Sequence, residues 1–122
     1  MSNHHWIGVD LDGTLAQYEK WIGADKIGEP IPEMLERVRG WLLKGVRVRI
    51  MTARVYAPFD DARRQRDAAE ATIAIQDWCI KHLGAVLPVT CVKDNRMLEW
   101  WDDRAVQVIK NTGRRADQEQ SK

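Results

Sequence analysis

Asp10 and Asp12 stand two residues apart at the end of an apolar run, Trp6-Ile7-Gly8-Val9, and Gly13-Thr14-Leu15 follows at once. Carboxylates at the exit of a buried strand are costly, because burial strips water from their charge. In an open α/β sheet, however, the carboxyl ends of the strands are where ligands bind. A second acidic pair, Asp102-Asp103, follows another extended run, Met97-Leu98-Glu99-Trp100-Trp101, and two more strand-type segments lead to Thr52 and to Lys93. In a parallel sheet these exits share one edge, so residues from distant parts of the chain converge. Carboxylates gathered in this way need a cation. Hard oxygen donors with few histidines nearby point to Mg²⁺, which accepts one or two carboxylates and leaves room for a substrate phosphate. The Thr52 hydroxyl and N–H and the Lys93 ammonium would then hold phosphate oxygens.

Such a set suits phosphoryl transfer onto a carboxylate. Asp10 would attack phosphorus in line to give an aspartyl-phosphate, and Asp12 would protonate the leaving oxygen and later take a proton from the hydrolytic water. The Gly13 turn lets the backbone pass close to a bound phosphate.

The elements that must position these residues are legible in order. Residues 16–31 carry Tyr18, Lys20, Trp21, Lys26 and glycines without a helical period, and read as a flap beside the acids whose side chains are candidates for substrate contact. Pro32 opens a helix whose apolar stripe is Met34, Leu35, Val38, Trp41 and Leu42, with Gly45 as a left-handed cap. Residues 46–51 alternate Val46, Val48 and Ile50 against Arg47 and Arg49, so one face of that strand must be open or must supply acids to the arginines. Asp60-Asp61 start a long helix to about His82, with Ala68, Ala71, Ile75, Trp78 and Cys79 buried and Gly84 at its end. Short strands are expected at Leu87–Val92, Met97–Trp101 and Val106–Ile109. Strands alternating with helices predict a mostly parallel sheet. The few residues between Val92 and Met97 fit badly, since a parallel crossover takes about a dozen.

At 122 residues, with 30% charged and 44% apolar residues, the chain suits one globular domain spanning 1–113, followed by a polar tail over 114–122. The balance of 19 basic against 18 acidic residues disfavours a strongly basic nucleic-acid binder. No apolar run reaches a membrane span and the first residues lack a signal-peptide pattern, so no membrane partner and a cytoplasmic location are expected. Cys79 and Cys91 show no CxxC spacing and read as reduced, packed thiols. His4 and His5 make no metal-ligand spacing with anything nearby.

Asp10-Leu11-Asp12-Gly13-Thr14-Leu15 resembles the DxDGT(L) first motif of the haloacid dehalogenase superfamily of Mg²⁺-dependent phosphohydrolases. Ile50-Met51-Thr52 is similar to the second motif, Lys93 to the third, and Trp101-Asp102-Asp103 to the fourth. The resemblance runs from about residue 6 to 110. It implies a Rossmann-like three-layer sandwich with strand order 3-2-1-4-5, Asp10 as nucleophile, Asp12 as general acid and base, and Thr52 and Lys93 as phosphate ligands. Leu11, Gly13, Ala53 and Arg54 complete the phosphate- or substrate-binding set. Asp10, the carbonyl of Asp12 and Asp102 would hold Mg²⁺, with Asp103 supporting.

The intervals between motifs are too short for a cap domain. The implied phosphatase would therefore be open, acting on a nucleotide, a polynucleotide end or another large phosphorylated substrate, or closed over by a homo-oligomer. Two other readings compete. A phospho-accepting receiver domain also combines acids, a Thr and a Lys, but its accepting Asp lies at the mid-chain strand exit, where this chain has Thr52. A non-catalytic binding module of the same fold is the third.

Overall fold

The computed structural model describes residues 4–119. Its sheet is parallel and four-stranded, with strands β1 (Trp6–Asp10), β2 (Val48–Met51), β3 (Val89–Thr90) and β4 (Met97–Trp101) in the order β3-β2-β1-β4. Two long helices connect the first three strands, α1 (Pro32–Leu43) and α2 (Ala62–Leu83). The caps explain their limits. Pro32 occupies the first turn of α1, and at its end the Gly45 and Val46 amides bond back to the carbonyls of Leu42 and Trp41, with Gly45 at φ 80°. Asp61 accepts from the Arg64 amide at the start of α2, and Gly84 at φ 72° closes it.

Ile7, Val9, Val48 and Ile50 form one core cluster with Met34, Leu35 and Val38 of α1 and with Ala71, Ile75, Trp78 and Cys79 of α2. Successive crossovers of one hand, stepping in one direction along the sheet, leave both helices on the same face. The opposite face has neither. It is crossed instead by residues 91–96, which run from β3 on one edge of the sheet to β4 on the other. Trp6 donates its indole N–H to Asp94 at 2.9 Å, Arg49 reaches the same carboxylate at 3.6 Å, and the Arg49 guanidinium lies 4.4 Å over the Trp6 ring. The acid that Arg49 required is therefore Asp94, and the short connection is a bare strap, not a helical crossover. The expected three layers are reduced to two. Leu98 and Trp100, on the uncovered face of β4, stay 65% and 45% exposed.

The fifth strand is also absent among the described residues. Val108 makes an isolated antiparallel bridge to Arg115, ahead of a short helix α3 (Ala116–Glu119). Residues 102–105 are too few to carry the chain back for another parallel pairing. Most of the tail expected from 114 onward falls in that bridge and helix, and its last residues, 120–122, lie outside the described residues. Both cysteines are free, with burial pushing the Cys79 thiol up to about 11. No helix among the described residues is long and apolar enough to cross a membrane.

Candidate active site

The neighbouring exits of β1 and β4 bring the two acidic pairs together. Asp10 ends β1, Asp102 and Asp103 follow β4, and one oxygen from each of the three carboxylates lies within 4.8 Å of the others. Thr14 ties the groups to one another. Its hydroxyl lies 3.4 Å from Asp10 and 3.5 Å from Asp103, and accepts the Asp103 amide at 3.0 Å. Gly13, at φ 87°, fits tightly beneath them, for a Cβ there would stand 2.7 Å from an Asp103 oxygen. Burial, then the charge of Asp102, then the hydrogen bond and charge of Asp103 and the charge of Asp12 push the Asp10 carboxyl up from 3.8 to about 7. Like charges crowded to that degree suit a divalent cation. The three donors are all hard carboxylate oxygens.

Asp12 is turned away from this trio. Both of its oxygens accept from Arg54, from Nε at 2.8 Å and Nη2 at 2.9 Å. The Arg54 Nη1 donates to the carbonyls of Gly23 and Ala24 at 3.2 and 2.9 Å, and the guanidinium lies 4.8 Å from the centre of the Trp21 ring. Its side chain is only 5% exposed, and four of its five N–H groups are committed. Arg54 thus holds the flap to Asp12, with one N–H left uncommitted.

Thr52 is buried, donates its amide to the Thr90 carbonyl, and caps a 3-10 turn (Ala53–Val55) by accepting the Arg54 amide at 3.1 Å. The same cap therefore aims Arg54 at Asp12. Ala53 is exposed on the cavity wall, whereas Leu11 is fully buried and contributes its carbonyl to the Thr14, Leu15 and Ala16 amides. Lys93 is exposed on the strap beyond β3 and lies outside the cavity.

That cavity, of about 570 Å³, joins Asp10, Asp12, Asp103 and Thr52 to residues the sequence pattern did not single out for binding. Arg64 and Asp67 face it from the first turns of α2, and Arg104 from just beyond the second acidic pair. Only proximity in the fold marks them. Tyr18 and Trp21 of the flap line it as expected, whereas Lys20 and Lys26 line an adjoining cleft that shares Asp12, Tyr18 and Arg54 with it. The flap is pinned in place. Gln17 bonds to Glu29 and Ile31 to Leu15 through their backbones, and Trp78 of α2 donates its indole N–H to the Gly28 carbonyl at 3.0 Å.

No family model and no curated protein matches the chain. Among solved structures, a conserved protein from Bacteroides thetaiotaomicron is similar at 20% identity with a TM-score of 0.49, over 84% of this chain and 78% of that one.

Proposed function

We propose that the chain is a Mg²⁺-dependent phosphomonoester hydrolase of the haloacid dehalogenase type that works through an aspartyl-phosphate on Asp10. The observation that carries this reading is the meeting of Asp10, Asp102 and Asp103 across two strand ends, with Asp10 and Asp103 lining one cavity together with Asp12 and Thr52. Asp10, Asp102 and the main-chain carbonyl of Asp12 would hold the cation, with Asp103 alongside. Bound there, Mg²⁺ supplies positive charge that screens the approach of a phosphate dianion to the Asp10 carboxylate.

Asp10 Oδ forms its bond to phosphorus as the bond to the ester oxygen breaks, and the departing oxygen takes a proton from Asp12. Water then attacks phosphorus and gives its proton to Asp12, the bond to Asp10 breaks, and inorganic phosphate leaves with both side chains restored. Both Asp12 oxygens accept from Arg54, so the proton it carries sits on a lone pair that those two bonds leave free. Thr52 supports the phosphate from the β2 exit. Lys93 takes no part in this account, since it lies outside the cavity. Wild-type protein with p-nitrophenyl phosphate and Mg²⁺ should release phosphate, and Asp10→Asn should lower the rate by at least ~10³-fold. Full activity in the variant, or none in the wild type, would remove the proposal.

A further inference from the structure

The walls of the cavity beyond the carboxylates are sorted by chemistry. On the flap, Trp21 has one ring face against the Arg54 guanidinium, so its plane is fixed, while 56% of the residue remains open to solvent; Tyr18 stands beside it at 45%. A ring held on one side and free on the other is a stacking surface already in place. On the other walls, Arg64 and Arg104 project exposed guanidinium groups for which no side-chain partner exists among the described residues. Arg54, by contrast, has four of its five N–H groups committed to Asp12 and the flap. Asp67, one turn after Arg64, adds an acceptor suited to an N–H group of a ligand.

One phosphate at Asp10 leaves the two free arginines unused. From this we infer that the substrate is a nucleoside phosphate bearing a second phosphate group. The scissile phosphate sits at Asp10, the base lies on Trp21 beside Tyr18, and the second anion is held by Arg64 and Arg104. A nucleoside bisphosphate and the phosphorylated end of an oligonucleotide share this chemistry, and a cavity of about 570 Å³ is within the range that encloses small ligands. A sugar phosphate offers no flat ring, and a phosphopeptide no second phosphate. The inference rests on the phosphatase reading, whose reacting phosphate it places at Asp10.

The test is equilibrium binding to Asp10→Asn protein with Mg²⁺, read by calorimetry, alongside wild-type hydrolysis of p-nitrophenyl phosphate. The ligands are ribose 5-phosphate, adenosine 5′-monophosphate, adenosine 3′,5′-bisphosphate, a 3′-phosphorylated dinucleotide and a phosphotyrosine peptide. Adenosine monophosphate should bind at least tenfold tighter than ribose 5-phosphate, and the bisphosphate or dinucleotide a further tenfold. Whichever of these two binds tighter identifies the source. Adding Trp21→Ala should abolish the first step, whereas Trp21→Tyr should keep it, which separates a lost stacking face from a disturbed flap. Adding Arg64→Ala or Arg104→Ala should abolish the second. Equal binding of ribose and adenosine phosphates, or preference for the peptide, overturns the inference, and if p-nitrophenyl phosphate is still hydrolysed the phosphatase reading stands. Nucleotide preference without hydrolysis of any phosphate would instead remove the phosphatase reading and keep the binding site.

Discussion

Asp10 carries an electrostatic cost from burial and from its acidic neighbours, and that cost has a definite pH dependence. Its carboxyl is raised from 3.8 to about 7, so between those values the folded protein holds a proton that the unfolded chain has released. Metal-free stability should therefore fall as pH rises through that window, with the full penalty present above it. Asp10→Asn removes the charge, and its Tm without metal should exceed the wild type's at pH 8 and converge with it near pH 4. Thermal unfolding at a series of pH values in chelator checks this; a variant less stable at pH 8 would contradict it. Asp10 and Asp12 could be singled out from spacing alone. The partner of Asp12 could not, because the Arg54 pairing depends on how the 3-10 turn after Thr52 aims a side chain at β1.

The flap shows what an element's own sequence conceals. Glycines and mixed charge in residues 16–31 suggested a loop, and the structure gives a loop closed at its base and pinned at its middle. Gly28 is where the packing is tightest, since a Cβ there would stand 2.1 Å from the Gln17 carbonyl oxygen. Gly28→Ala should cost about 1–3 kcal/mol through backbone displacement, and should speed hydrogen exchange at the Gln17 amide, which bonds to Glu29 in the wild type. Urea denaturation and exchange measurements test the two effects; unchanged values in both would show that the flap is not anchored there. The helix limits were legible because Pro32, Gly45, Asp61 and Gly84 are local signals. The fate of Val106–Ile109 was not, since alternation fits a hairpin arm as well as a strand, and only the short link after β4 decides between them.

At the scale of the whole molecule, the half-covered sheet follows from one short connection. A strap of six residues cannot supply a second helical layer, so Trp6, Arg49 and Asp94 cover part of that face with stacking and an ion pair. The parallel α/β class followed from alternating elements and the order of the four strands from the motif resemblance, but the number of layers depended on that link. Joining β1 to β4 through a cation should then stabilise the fold as well as equip the site. Mg²⁺ at about a hundred times its Kd should add about 2.7 kcal/mol, roughly 10 °C in Tm for a chain of this size, reversed by chelation. Asp102→Asn should lose most of that gain, while an equal gain in this variant would place the cation elsewhere.

The most direct measurement is a search for phosphate on Asp10 itself. In Asp12→Asn, p-nitrophenolate can still leave without a proton donor, whereas hydrolysis of the acyl phosphate lacks its base. Acid-quenched protein from that variant, digested and weighed by mass spectrometry, should carry a phosphoryl group on the peptide containing Asp10, lost in the Asp10→Asn, Asp12→Asn double variant. Phosphate release by the wild type, with that peptide never phosphorylated and Asp10→Asn still active, would contradict the account.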